Sequence, residues 1–168
     1  MADHGAPQAD DSATPEPLAL TALRGSGVAF RLAPFVGGAG TLPEFAARSG
    51  LRPRQVAKSL LLDLNGKGYA LLVVAGDRAA DFAALRRHFG VRSVRLADPE
   101  TVLAITGYRI GTVTPLALAT PGLEVLIDAA LVAEAEVSLG IGLPGQHVRL
   151  AGAALAAGVG GVAGAFCK

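Results

Sequence analysis

The sequence is poor in the side chains that most enzymes use for covalent, acid–base or metal chemistry. It has no tryptophan, one cysteine and three histidines among its 168 residues. The lone Cys167 cannot form an internal disulfide, which favours a reducing compartment, and we expect a structural thiol. His4, His88 and His147 lack metal-ligand spacing with cysteines or carboxylates, so no metal site is predicted.

Charged residues are also scarce, at 17% of the chain, whereas apolar residues make up 51%. This balance excludes a disordered chain and predicts one packed domain over residues 17–168. Residues 1–16 are polar, contain four acidic and no basic side chains, and are predicted to be a disordered tail. The remaining chain has a net charge of about +5, which fits an RNA or phosphate partner and equally an ordinary solvated surface.

One long uncharged run, residues 150–167, has the length of a membrane span. It is rich in Ala and Gly, however, and we predict a short helix over 152–157 followed by a final strand. The N-terminus shows neither the basic nor the apolar region of a signal peptide. These features predict a soluble, cytoplasmic protein without a membrane partner.

Apolar periodicity and turn signals predict a single-domain α/β fold with a mixed, curved β-sheet and packed helices. Helices are expected from Leu18 to Gly25 or Gly27, from the Thr41–Glu44 capping box to Ser49, from Asp77 or Asp81 to about His88, and from Asp98 to just before Gly107. Asn65-Gly66 predicts a hairpin between two apolar strands. The expected strands cover 28–35, 58–64, 68–76, 91–97, 123–129, 135–140 and 146–151.

The chain contains neither a G-x-S-x-G elbow nor a phosphate-binding G-x-x-x-x-G-K-[ST] loop. Its paired acids stand at helix starts, where capping explains them. Two features remain: Lys58, which begins a strongly apolar strand, and the stretch Thr106–Pro115, rich in glycine and hydroxyl groups. A buried ammonium is costly unless a partner or ligand uses it, although a strand-end lysine can also extend to solvent.

Four segments together resemble the YbaK/ProX family of aminoacyl-tRNA deacylases, whose fold also forms the editing insertion of bacterial-type prolyl-tRNA synthetase. The resemblance covers about residues 18–163, and its most specific parts are the strand-leading lysine and a T-G-[YF]-x-x-G-x-x-x-P loop after A-D-P. The segments are QVAKSLLL (55–62), ADPETVLAITGYRIGTVTPL (97–116), LIDAAL (126–131) and GQHVRLAGAAL (145–155).

The resemblance implies a hydrolase that cleaves the ester of misacylated tRNA in trans, with a tRNA for proline or a similar small amino acid as substrate. It implies catalytic roles for Lys58 and Gly111. It also implies substrate binding by a larger group of residues, although the segment 138–147 departs from the family pattern and leaves the choice of amino acid open. The predicted binding residues are Phe35, Ser59, Thr106, Gly107, Tyr108, Thr112, Val113, Thr114, Pro115 and His147.

An aminoacyl ester is already activated, so its cleavage requires mainly positioning and stabilisation of an oxyanion. Such a site needs no cofactor and no metal. The expected partner is the 3′ acceptor end of aminoacyl-tRNA, and an aminoacyl-tRNA synthetase is a further candidate. DNA is not an expected partner. The sequence leaves open whether the protein is a monomer or a homodimer. The alternative function is a noncatalytic RNA- or partner-binding module on the same fold.

Overall fold

The computed structural model describes residues 16–35 and 40–168, which form a mixed α/β domain. Residues 1–15 of the expected tail lie outside the described residues. The helices are α1 (Leu18–Gly25), α2 (Leu42–Arg48), α3 (Phe82–Phe89), α4 (Pro99–Thr106), α5 (Ala129–Val132) and α6 (Leu155–Val159), with 3-10 turns at Pro53–Gln55 and Gly152–Ala154. The strands are β1 (Phe30–Leu32), β2 (Ala57–Asp63), β3 (Tyr69–Ala75), β4 (Arg95–Leu96), β5 (Glu124–Asp128), β6 (Val137–Gly140), β7 (His147–Leu150) and β8 (Val162–Gly164).

The described strands divide between two sheets. The larger sheet has the order β4-β2-β3-β5-β8, in which β5 runs parallel to β3 and β8 and the other pairs are antiparallel. The smaller sheet, β1-β7-β6, is antiparallel throughout. A bridge between Val56 and Ser138 joins the start of β2 to β6, and thereby brings the two sheets together at one end of the hairpin.

Local sequence signals fix the ends of several elements as predicted. The Thr41 and Glu44 side chains form the reciprocal capping box of α2, and Asp81 and Asp98 cap α3 and α4. The β2–β3 hairpin turns at Asn65 and Gly66, both with positive φ.

The predicted strand over residues 91–97 is reduced to β4, Arg95–Leu96. Val91 and Val94, three residues apart, both pack into the apolar cluster beneath α3. In a strand these two side chains would point to opposite faces. Because Val91 and Val94 both pack into this cluster, residues 91–94 do not pair with β2, and the strand is limited to Arg95–Leu96.

The larger sheet buries both of its faces. Leu61, Leu71 and Val73 point into the main core, which also contains residues of the smaller sheet and of helices α1, α4, α5 and α6. Leu62 and Leu72 point to the opposite face, which α3 covers. This two-sided burial explains the near-continuous apolar runs of β2 and β3.

Residues 150–167 do not form one long helix. They comprise the end of β7, a 3-10 turn, the short α6 and β8, as the Ala and Gly content predicts. Within the part of the chain that the structure describes, no helix has both the length and the apolar character needed to cross a bilayer.

Candidate functional site

A cavity of about 1040 Å³ opens where the start of β2 meets four other segments. One wall is the loop after α4, another is the beginning of α2, and the far wall is the β6–β7 connection. The lining residues are Phe35, Gly40, Thr41, Leu42, Phe45, Val56, Ala57, Lys58, Ser59, Leu60, Ile110, Gly111, Thr112, Val113, Gly140, Gly142, Leu143, Pro144, Gly145 and His147.

Seven of the predicted site residues line this cavity together. They come from four separate parts of the chain, so the fold brings together what the sequence keeps apart. These residues are Phe35, Lys58, Ser59, Gly111, Thr112, Val113 and His147. A second groove, of about 520 Å³, lies at the hairpin end of the sheet and contains none of the predicted residues.

Lys58 is the cationic residue of the cavity wall. Its half-buried ammonium donates one hydrogen bond, of 2.8 Å, to the main-chain carbonyl of Arg78. An ammonium has three donors, and no other acceptor among residues 16–35 and 40–168 binds this one. Lys58 is therefore oriented by the protein and still has two donors for a ligand.

The loop after α4 begins at Gly107, whose left-handed conformation ends the helix. Gly111 has a φ of 94° and is exposed at the cavity. The N–H and the Oγ1 of Thr112 both donate to the carbonyl of Arg109 at 3.0 Å, which closes the turn around Gly111. Within the described chain, no acceptor takes the N–H of Gly111 or Val113. These amides are available to a ligand.

Five further residues predicted to bind substrate belong to the end of α4 or to the segment that follows it but lie outside the cavity lining. Thr106 is buried, donates to the carbonyl of Val102 at 2.6 Å and accepts from the N–H of Tyr108 at 3.1 Å. The Tyr108 hydroxyl donates to the carbonyl of Leu116 at 2.7 Å. Gly107, Thr114 and Pro115 do not line the cavity either. The contacts of Thr106 and Tyr108 shape the loop, and direct substrate binding by these five residues stays a prediction.

His147 begins β7 and forms part of the far wall. Its ring lies 4.5 Å from the ring of Phe45, which in turn packs edge-on against Phe35. Burial, with a smaller contribution from the charge of Arg149, lowers the pKa of His147 below its ordinary value. The buried Nδ1 has no hydrogen-bond partner among the residues described. His147 is therefore a neutral imidazole at neutral pH, and its Nδ1 is a buried polar atom that no described residue satisfies.

Sequence reasoning missed the lining residues of α2 and all of those between residues 140 and 145. Thr41, Leu42 and Phe45 belong to the first turns of a helix that the capping box locates well. Nothing local indicates that this helix packs beside β2. Only the two-residue period of β2, which places Leu60 on the same face as Lys58, could have predicted Leu60 as a lining residue.

The lining residues restrict the chemistry of the cavity. Among the described residues of the lining, Lys58 and His147 have ionisable side chains, and hydroxyl groups come from Thr41, Ser59 and Thr112. The part of the lining that the structure describes contains no carboxylate for paired acid–base catalysis. Across residues 16–35 and 40–168, no group of three or more His, Cys, Asp or Glu side chains could hold a metal ion.

Cys167 is buried outside the cavity lining. Burial, followed by the charge of nearby Asp128, raises the pKa of its thiol to about 12. A thiol with that pKa stays protonated at neutral pH and is a poor nucleophile. The contacts of Cys167 agree with the expected structural role.

Residues 37–157 match the model of the aminoacyl-tRNA editing domain family. The chain is 31% identical over 112 residues to the proline–tRNA ligase of Desulfovibrio desulfuricans, which covers 67% of the chain and 19% of the ligase. It is also 36% identical over 91 residues to the protein YwhH of Bacillus subtilis, covering 54% of the chain and 57% of YwhH. The chain thus spans about a fifth of the curated ligase.

A solved structure of a candidate trans-editing enzyme for prolyl tRNA synthetase superposes with a TM-score of 0.80 at 28% identity. The superposition covers 92% of this chain and 99% of that one, so the two share one fold over nearly their whole lengths. The family match includes Lys58, the loop after α4 and His147. The chain therefore belongs to the aminoacyl-tRNA editing domain family, which confirms the resemblance found in its sequence.

Proposed function

We propose that this protein hydrolyses the ester of misacylated tRNA in trans, with a tRNA for proline as substrate. One observation supports the reaction above all others. A single cavity combines the Lys58 ammonium, which keeps free donors, with the unpaired main-chain N–H groups of Gly111 and Val113. Cations and aligned amides stabilise the negative charge that develops when an ester carbonyl is attacked.

In the proposed reaction, the Gly111 N–H binds the ester carbonyl oxygen. A water molecule adds to the carbonyl carbon, and the oxygen becomes an oxyanion held by this donor. The bond from carbon to the terminal ribose oxygen then breaks, and that oxygen receives a proton. The products are the free amino acid and the tRNA. The water proton leaves through solvent or a neighbouring ribose hydroxyl, since no described lining residue is a carboxylate.

Lys58 serves as an electrostatic anchor in this scheme and not as a nucleophile. Its side-chain nitrogen already donates to the Arg78 carbonyl. A charged amine has no lone pair for attack, whereas it attracts the phosphate or ester oxygens of the terminal adenosine. Ser59, the next residue of β2, supplies a hydroxyl to the same cavity.

The far wall limits the amino acid that the cavity accepts. His147 of this wall forms a contiguous aromatic row with Phe45 of α2 and with Phe35, and Gly140 stands beside His147 without a side chain. Such a wall can exclude large side chains by contact, and the neutral His147 can accept a hydrogen bond. We therefore propose a small amino acid as the group removed.

The identity of the tRNA rests on the relatives, which are proline–tRNA ligases and a candidate trans-editing enzyme for prolyl tRNA synthetase. A prolyl-tRNA synthetase is accordingly the proposed source of the mischarged tRNA. Aminoacyl-tRNA is made in the cytoplasm, which is the proposed location. DNA is not a proposed partner. The proposed reaction needs only one copy of the cavity.

A panel of tRNAs for proline, each charged with an amino acid of different size, tests this function. We expect the protein to hydrolyse at least one mischarged ester whose amino acid has a small side chain. It should hydrolyse the prolyl ester slowly. Binding of these tRNAs without hydrolysis of any of them would support the alternative, a noncatalytic RNA-binding module.

A further inference from the structure

We infer that Asp128 is a positioning residue of the editing site: through the side chain of Arg78, it fixes the main-chain carbonyl that orients Lys58. This inference rests on the function proposed for Lys58. Asp128 ends β5 and is 1% exposed, and it lies outside the cavity lining. Its effect on substrate would therefore be indirect.

The contacts form a continuous path from Asp128 to Lys58. Asp128 Oδ2 lies 3.0 Å from Arg78 Nε, an ionic contact in which the N–H does not point directly at the oxygen. The Nη2 of Arg78 donates to the Cys167 carbonyl at 2.6 Å. The guanidinium is thus held from two sides, and the carbonyl of the same residue accepts the 2.8 Å hydrogen bond from Lys58 Nζ.

The main chain around this carbonyl is also held. The N–H of Arg78 donates to the Ala75 carbonyl, and the N–H of Ala79 donates to the Lys168 carbonyl, both at 2.9 Å. Asp128 Oδ2 additionally accepts from the Ala75 N–H at 3.4 Å. With its neighbours and its side chain all fixed, the Arg78 carbonyl has little freedom to follow Lys58 if the ammonium moves.

The negative charge of Asp128 is not needed for its cap of α5. Its Oδ1 accepts from the Ala130 N–H at 3.1 Å and caps α5, which an uncharged side chain such as Asn also does. Burying a carboxylate is costly unless a cation is paired with it. The charge instead pairs with the Arg78 guanidinium.

Asp128→Asn tests the inference, with Asp63→Asn as the matched control. Asp63 also pairs with an arginine, Arg95, but lies at the other end of β2 from Lys58. The chain has only three lysines, so the side-chain ammonium signals of lysine-labelled protein can be assigned by NMR. In the unaltered protein we expect Lys58 to show slower ammonium proton exchange than Lys67 and Lys168. In Asp128→Asn that protection should be lost, and in Asp63→Asn it should remain.

The rate of ester hydrolysis gives a second readout. Asp128→Asn should lower the single-turnover rate of folded protein about tenfold or more, since a misplacement of about 1 Å can cost about 100-fold. In a Lys58→Ala background the same change should have no further effect, because there is no ammonium left to position. An equal loss in both backgrounds would show that Asp128 only supports the fold.

The NMR readout does not depend on activity, so it distinguishes failure of this inference from failure of the proposed function. Unchanged Lys58 protection in folded Asp128→Asn would overturn the inference. If Asp128→Asn does not fold, Arg78→Lys replaces it as the test. This change keeps a cation for Asp128 but loses the contact to the Cys167 carbonyl, so it should reduce the protection of the Lys58 ammonium protons from exchange. If neither variant folds, the unaltered protein provides the test. Rapid exchange of the Lys58 ammonium protons in that protein would overturn the inference.

Discussion

At the scale of single residues, Gly111 and Gly122 share a backbone conformation but differ in their surroundings. Their φ values are 94° and 74°, and a Cβ added to either would meet no atom within 4 Å. Gly111 lines the larger cavity, whereas Gly122 does not. The protein therefore leaves room for a side chain at Gly111, and any obstruction there would come from the substrate.

Gly111→Ala should lower hydrolysis far more than Gly122→Ala. Both changes force an L-residue into a positive φ and should each cost about 1–3 kcal/mol of stability. Only the Gly111 change shifts a proposed oxyanion donor, whose loss typically costs ~10²–10³ in rate. Thermal unfolding and single-turnover hydrolysis on both variants measure the two effects. Equal rates per folded molecule would leave Gly111 with a turn-forming role alone.

His147 should make stability depend on pH in the mildly acidic range. Burial lowers the pKa of the folded-state imidazole, so below the ordinary pKa of about 6.5 the unfolded chain binds the proton more readily. The free energy of unfolding should therefore fall as the pH drops from 7.5 to 5.5. His147→Gln should reduce this fall, which denaturant unfolding at several pH values measures. An identical pH dependence in the variant would contradict the described environment of His147.

At the scale of elements, local signals predicted the boundaries that depend on neighbouring residues. Asp98 and the Thr41 capping box act within one helical turn, so the sequence alone locates them, and it limits the start of α3 to Asp77 or Asp81, of which Asp81 is the cap. The division into two sheets and the parallel pairing of β5 with β3 depend on residues more than fifty positions apart. No local pattern contains that information.

The same distinction applies to the candidate site. Lys58 was identified because an ammonium at the head of an apolar strand is costly, and the loop after α4 by its composition. The contact of Phe45 with His147 joins residues a hundred positions apart and has no local signal. Tyr108 was predicted to bind substrate, yet its hydroxyl meets the Leu116 carbonyl and its ring packs beside Gly142, where an added Cβ would lie 2.4 Å from the ring.

Tyr108 connects the loop after α4 to the β6–β7 connection, which form two walls of the cavity. Tyr108→Phe should cost about 1 kcal/mol of stability, through one lost hydrogen bond, and should keep most of the activity. Tyr108→Ala removes the ring that holds the loops in place and should lower both stability and the hydrolysis rate. If instead the hydroxyl binds substrate, the Phe variant will lose as much activity as the Ala variant.

At the scale of the whole molecule, the domain is predicted to function without the N-terminal tail. Glu16 is the last residue of the predicted tail. Its carboxylate accepts hydrogen bonds from the Thr21 hydroxyl and the Arg24 guanidinium at the surface of α1. Removal of residues 1–15 keeps this contact and deletes a segment with little apolar surface to bury. The melting temperature and the hydrolysis rate should both stay nearly unchanged. A large decrease in either would show that the tail packs on the domain.

The central claim is that the cavity around Lys58 hydrolyses the aminoacyl ester. The most direct test compares single-turnover hydrolysis of a mischarged tRNA for proline by the unaltered protein, Lys58→Ala and Lys67→Ala. Lys67 lies in the hairpin turn and donates to the Gly90 carbonyl, far along β2 from the cavity. The account predicts that Lys58→Ala abolishes or severely reduces hydrolysis with the fold retained, whereas Lys67→Ala keeps the normal rate. A folded Lys58→Ala protein with undiminished hydrolysis would contradict it.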